Sequence, residues 1–202
     1  MKASRILFIF VLLSMTIGSS SCKWNVKNNS SSEDSTKVDT LWNAKVQDTF
    51  FDTKFGASRE EVIKNFAKHG FTLDKEVSRE DFLAFDYSKN VYNFGGMIWE
   101  SLSVGIVNGK FQCIEFYTPT KDKATAFSNY NSIVDAISEK YQLTSVEPKD
   151  STVYAKKCAF SKSPYEAGVG IYRYESISKE IYYAAILGYK DNSITEEVSD
   201  EL

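Results

Sequence analysis

Asn108-Gly109 lies between two runs with strand-like alternation, Trp99–Val107 and Phe111–Thr118. Asn-Gly is the strongest short hairpin signal, because both residues tolerate positive φ. The chain must therefore contain an antiparallel ribbon, and its register decides which side chains share a face. A tight two-residue turn would set Val104 opposite Cys113 and Leu102 opposite Glu115. A type I turn with a glycine bulge shifts the pairing by one. Leu102, Val104 and Ile106 then face Phe116, Ile114 and Gln112. Ser101, Ser103 and Gly105 lie opposite Tyr117, Glu115 and Cys113. This second register makes one apolar face and one mixed face, as a half-buried sheet requires. The bulged register is expected, with Cys113 on the mixed face.

Two helices frame this hairpin in sequence. Ser58-Arg59-Glu60-Glu61 fits a capping box, with Ser58 as cap and Glu61 at N3. Val62, Ile63, Phe66 and Ala67 form an apolar stripe, and Gly70 supplies a stop. Thr49 to Phe55, just before, reads as a short entry strand or extended segment. The second helix runs from Lys121 to about Tyr141, with Phe127, Tyr130, Ile133, Val134, Ile137 and Tyr141 at three- and four-residue steps. Further strands are expected near Phe82–Tyr87, Thr152–Phe160, Gly168–Glu175 and Glu180–Tyr189. Gly168-Val169-Gly170 inside a strand marks a bulge or close packing. The order is helix, three strands, helix, three strands. It predicts an α+β fold with two helices packed on one face of an antiparallel sheet, built as a tandem helix-plus-three-strands repeat.

The chain's start limits where it works. Lys2 and Arg5 precede an apolar run from Ile6 to Ile17, then Gly18, Ser19, Ser20, Ser21 and Cys22. A basic head, a short apolar stretch and a small-residue end describe an export signal over residues 1–21. The run falls short of the ~18–20 residues a spanning helix needs. The cysteine at the cut resembles the lipobox of bacterial lipoproteins, in a loose form similar to that of Bacteroidota-like bacteria. The resemblance implies a mature chain starting at a lipidated Cys22, a membrane partner through that lipid, and a place in the cell envelope. Lys23 and Trp24 follow with no early acidic run, which favours the outer membrane facing the periplasm over surface display. Residues 22–44 read as a polar tether, residues 45–191 as one globular domain, and residues 192–202 as an acidic tail.

Phe55-Gly56-Ala57-Ser58-Arg59-Glu60-Glu61-Val62, followed by a helix, Gly70 and the Asn-Gly hairpin, resembles a group of small exported lipoproteins. The group includes the β-lactamase-inhibitor-protein fold and small outer-membrane assembly lipoproteins. The resemblance implies a non-catalytic binding module that uses an open sheet face.

Losing residues 1–21 removes Lys2 and Arg5 and no acid, leaving 22 basic against 27 acidic side chains, a net charge of −5. That balance argues against nucleic acid as a partner, since phosphate binding wants a basic patch. Cys113 and Cys158 are an even pair in an exported chain. They either bridge, closing a loop worth about 4 kcal/mol, or stay as two buried thiols. His69 is the single histidine and stands at a helix end, where it complements the dipole. One histidine cannot supply a Ser-His-Asp or Cys-His site. No zinc spacing, paired-carboxylate site or phosphate loop is present, so no catalytic residue, metal or cofactor is expected. The remaining candidates are aromatic: Trp99, Tyr117, Tyr154, Tyr172 and Tyr174, with Tyr182 beside them. On a half-wet sheet face they would anchor an envelope protein. The alternative is a small ligand or glycan held by the same rings.

Overall fold

The computed structural model describes residues 42–87, 92–148, 150–176 and 179–195. The export signal, Cys22 and most of the tether lie outside the described residues, as does the tail from residue 196. In chain order the strands are β1 (Trp42–Asn43), β2 (Thr49–Phe50), β3 (Thr53–Lys54), β4 (Phe71–Leu73), β5 (Phe82–Tyr87), β6 (Tyr92–Phe94), β7 (Met97–Trp99), β8 (Ser101–Val107), β9 (Lys110–Thr120), β10 (Thr144–Ser145), β11 (Val153–Ser161), β12 (Tyr165–Glu175) and β13 (Ile181–Asp191). Helix α1 (Arg59–Lys68) lies between β3 and β4, and α2 (Lys123–Ser138) between β9 and β10.

Nine of the strands form one sheet, ordered β1-β11-β12-β13-β9-β8-β5-β4, with β10 also paired to β11. All its pairings are antiparallel except β1 on β11. The fold is therefore mixed α and β, mostly antiparallel sheet with two helices. Trp42 pairs with Phe160, so the domain begins inside the expected tether. At the other end, Asn108 and Gln112 donate side-chain hydrogen bonds to the carbonyls of Thr195 and Ile194. The first residues of the expected tail are thus fastened to the β8–β9 hairpin. Among the described residues α1 is followed by six strands and α2 by four, so the simple alternation of helix and three strands does not hold.

The helix starts follow the sequence logic. The Ser58 side chain accepts from the Glu61 N–H at 3.2 Å, and Asp122 caps α2 by accepting from Ala124 and Thr125. Gly70 takes φ +89, the left-handed conformation that ends α1. His69 is the C-cap of α1 and also sits 2.8 Å from Asp52 through Nε2, a partner the sequence did not suggest.

The hairpin register is the bulged one. Ser101, Ser103 and Gly105 oppose Tyr117, Glu115 and Cys113, and Leu102 and Val104 oppose Phe116 and Ile114. The shift arises differently from expectation. Asn108 and Gly109 both have positive φ, as in a tight two-residue turn. The extra residue is Gln112, because Ile106 pairs with Phe111 while Gly105 pairs with Cys113.

One large core gathers Val62 and Phe66 of α1, Ala126, Ile133 and Ile137 of α2, and Leu83, Val104, Ile114, Phe116, Val169, Ile171 and Leu187 of the sheet. Phe50 lies at its aromatic centre, within 6.4 Å of the rings of Phe55, Phe94, Phe111, Phe116 and Tyr189. The expected entry strand is in fact the tight β2–β3 hairpin that delivers this ring. Its turn residues, Phe51 and Asp52, both have positive φ. Neither residue announces that conformation as a glycine would.

The two cysteines are free, which corrects the bridging alternative. Cys113 is on β9 and Cys158 on β11, with β13 and β12 between them. Three inter-strand spacings separate those strands by about 14 Å, far beyond the reach of a disulfide. Burial, helped by nearby Glu115, pushes the Cys113 thiol up to about 12. Thiol labelling should find both cysteines in the unreduced, denatured chain, and slow reaction of the native chain at neutral pH. A denatured chain with no reactive thiol at these two positions would contradict this strand order.

Candidate functional site

The second face of the sheet carries a separate, smaller cluster. Tyr117, Ala184 and Ile186 are buried there, with Tyr172 and Tyr174 half-buried against them. These residues come from β9, β12 and β13, and no helix residue is among them. Alternation explains the grouping. Ala185, Leu187 and Tyr189 of β13 enter the large core, so Tyr182, Ala184, Ile186, Gly188 and Lys190 point the other way. Tyr174 pairs with Tyr182, and their rings stack at 5.7 Å and 16°.

Cross-strand pairing lays a row of mostly small residues across this face. Cys158 pairs with Gly168, Gly168 with Gly188, Gly188 with Glu115, Glu115 with Ser103, and Ser103 with Ala84. The row spans six strands, or about 24 Å. Lys156, Ile186 and Tyr117 flank this row on one side and Phe160, Glu166 and Lys190 on the other. The Tyr117 phenol reaches over Ser103 and Glu115, so the trough is confined to the β11–β13 end. The Tyr172 ring lies over Gly170, where a Cβ would come within 2.7 Å of Cε2. Gly170 is there for close packing, one of the two expected readings, whereas a Cβ at Gly168 would make only ordinary contacts, the nearest at 3.6 Å. At the β11–β13 end the trough deepens between Lys156, Glu166, Gly168, Gly170, Tyr172, Ile186, Gly188 and Lys190. The enclosed space is about 20 Å³, room for a water or two and no drug-sized ligand.

Glu115 stands midway along the row, paired with Gly188 and Ser103. Tyr117 donates its phenol proton to Glu115 Oε2 in a short hydrogen bond. The Tyr117 and Ser103 oxygens are 2.8 Å apart. Burial raises the Glu115 carboxyl above its ordinary range, partly offset by those hydroxyls and by Lys156 and Lys190. Burial and the Glu115 charge together push the Tyr117 phenol upward. A carboxyl raised on folding binds its proton more tightly in the folded than in the unfolded chain. Its contribution to stability is full below the unfolded value near 4.3 and is lost as pH rises through the folded one. Glu115→Gln should flatten that decline in denaturant melts run from the ordinary carboxylate range upward. An unchanged slope in the variant would remove this role from Glu115.

The structure brings together Tyr117, Tyr172, Tyr174 and Tyr182 and separates the other two candidates. Trp99 is fully buried in the large core, with its indole N–H donating to the Phe94 carbonyl at 3.0 Å. It shares sequence parity with Ser101 and Ser103, but Glu100 interrupts the strand. Trp99 therefore belongs to the β6–β7 ribbon, whose alternation is independent of β8. Tyr154 is displaced by a register shift between Val153 and Ala155. It lies near Phe127 of α2 and Tyr183, with the Lys123 ammonium 4.1 Å from its ring centre. Both corrections have one physical cause: a single-residue irregularity flips every side chain beyond it. The trough's glycines and Glu115 were not singled out as site residues. The signal for them was Gly168-Val169-Gly170, read together with the bulged register.

Among the described residues no three His, Cys, Asp or Glu side chains are grouped to hold a metal ion, and no helix is long and apolar enough to cross a membrane. Comparison with protein-family models, curated proteins and solved structures finds no match to this chain.

Proposed function

We propose that this chain is a non-catalytic envelope lipoprotein, anchored through lipid on Cys22, that docks a protein partner on the tyrosine-rimmed face of its sheet. One observation carries the reading. Tyr117, Tyr172, Tyr174, Ala184 and Ile186 cluster on a face to which neither helix contributes. Tyrosine brings large contact area at low entropic cost, which suits a recognition surface. The shallow trough fits an extended or flat protein surface better than a small ligand or glycan needing a deep pocket. In this reading both helices cover the opposite face. The meanders β5-β8-β9 and β11-β12-β13 are then tandem units joined through β9 and β13, as the helix-start octapeptide's resemblance to the β-lactamase-inhibitor-protein fold implies. The anchor would hold the domain at the outer membrane, facing the periplasm.

Chemical crosslinking and pull-down from native envelopes tests the docking reading. Wild-type chain should capture a discrete protein, and a Tyr172→Ala/Tyr174→Ala chain should lose most of it while remaining folded. Equal capture by both chains would count against this face. Cys22→Ser should move the chain out of the membrane fraction, because lipid chains supply its membrane affinity. Persistence in that fraction would refute the anchor.

A further inference from the structure

The β8–β9 hairpin also holds the end of the described chain. Asn108 Nδ2 donates to the Thr195 carbonyl at 3.0 Å, and Gln112, the extra residue of the bulge, donates to the Ile194 carbonyl. Pairing of β13 with β9 ends at Lys190 and Cys113, and these two bonds carry the chain onward along β9 to the hairpin tip. Closer to β13 the segment has other holds. The Asn192 N–H donates to the Pro164 carbonyl, and the Ser193 N–H to Asp191 Oδ1. Ile194 and Thr195 are held by the two amide side chains. Glu196 and Glu197 follow at once in the sequence.

Asn108-Gly109 is also built for deamidation. Both residues are exposed, and beyond its chain neighbours nothing lies within 4 Å of where a Gly109 Cβ would stand. In a two-residue turn the ladder bonds belong to Val107 and Lys110, which leaves the Gly109 N–H outside the ladder. That nitrogen can attack Asn108 Cγ. The new N–Cγ bond closes a succinimide ring, the Cγ–Nδ2 bond breaks, and Nδ2 leaves as ammonia with the proton given up by Gly109. Water then opens the ring at either carbonyl, yielding aspartate or isoaspartate. One water is consumed, one ammonia is released, and nothing is oxidised or reduced.

We propose that Asn108 is a modification site whose deamidation unfastens the C-terminal segment from the hairpin. The product carboxylate only accepts hydrogen bonds, so it faces the Thr195 carbonyl as a second acceptor where the amide was a donor. It also sets a negative charge beside the start of the acidic run Glu196, Glu197 and Asp200. Isoaspartate adds a methylene to the backbone of a two-residue turn. The Gln112 side chain is then the remaining hold on the last described residues. The Asn108–Thr195 bond also governs the rate. While it lasts it keeps the amide from turning toward the Gly109 nitrogen, so the fastened chain is modified slowly and the modified chain does not refasten. Nothing in this step involves the tyrosine face.

The full mature chain in detergent, aged in warm, mildly alkaline buffer and mapped by peptide mass, tests the site. Asn108 should gain about 1 Da, in part as isoaspartate. It should do so well ahead of exposed Asn131, whose following Ser132 N–H is committed to α2. Truncation after Ser193, which frees the Asn108 amide, should speed the gain roughly tenfold. Asn108→Asp keeps a residue type that tolerates the φ of +51 here, so the hairpin should still form. In that variant and in the aged wild type, residues 192–195 should exchange amide hydrogens roughly tenfold faster than in fresh wild type. Modification of Asn108 no faster than of Asn131, or at one rate with and without residues 194–202, would overturn the site. So would an aged or Asn108→Asp chain whose residues 192–195 stay as protected as before.

Discussion

Phe50→Ala should be among the most destabilising single substitutions in this domain, at about 3–5 kcal/mol. The ring is 1% exposed and meets five aromatic neighbours, two of them, Phe111 and Phe116, on central strand β9. Truncation removes its transfer free energy and leaves a cavity that β2, pinned by a tight turn, cannot collapse into. A domain of this size has about 5–15 kcal/mol of total stability, so a large share would go. A melting temperature lower by roughly 10 °C would register it. Ile98→Ala is the natural control, because Ile98 is 62% exposed and should change little. A Phe50→Ala protein as stable as wild type would mean that the β2–β3 hairpin does not enter the core.

The second large effect is expected at Gly105. A Cβ there would stand 2.5 Å from Cys113 Sγ, so the thiol must leave its position and its backbone hydrogen bond with Gly105. Overpacking of this kind costs about 1–3 kcal/mol. Removing the sulfur should relieve it. In a double-mutant cycle Gly105→Ala and Cys113→Ala should couple favourably, with the double variant more stable than Gly105→Ala alone. Simple additivity in urea melts would contradict the Gly105–Cys113 pairing, and with it the hairpin register.

What the sequence made legible was local and periodic. Ser58 and Gly70 form the helix cap and stop they announce, and Asn108-Gly109 forms its hairpin, though through a tight turn with the bulge moved to Gln112. The apolar and mixed faces of the central hairpin were legible because only one register separates them. The sheet order was not. Nothing local to β9 and β13 says that they pair, and their joining is a long-range outcome of packing. The same limit applies to Cys113 and Cys158, whose even count suggested a bridge that three strand spacings forbid. Trp99 and Tyr154 failed for a narrower reason. Period-two reasoning is sound within an unbroken strand and reverses across each interruption, here Glu100 and the shift beside Tyr154. His69 was read correctly as a helix-end residue, but its partner Asp52 stands on a turn whose positive φ angles neither residue type declares.

Glu115 shows how site chemistry arises from the fold. In the sequence it is one acid in a strand. The register sets it beside Tyr117 and opposite Ser103 and Gly188, and burial then shifts its proton affinity. Its position midway along the small-residue row places a carboxyl at the centre of the surface proposed to meet the partner.

Photo-crosslinking in living cells tests that surface most directly. A photoreactive amino acid placed singly at positions 172, 174, 98 and 154 samples two sites on the tyrosine face and two elsewhere. Docking on the tyrosine face requires a discrete protein adduct from positions 172 and 174 and none of that size from 98 or 154. Adducts from 98 or 154 alone, with 172 and 174 silent in a folded, anchored chain, would contradict it.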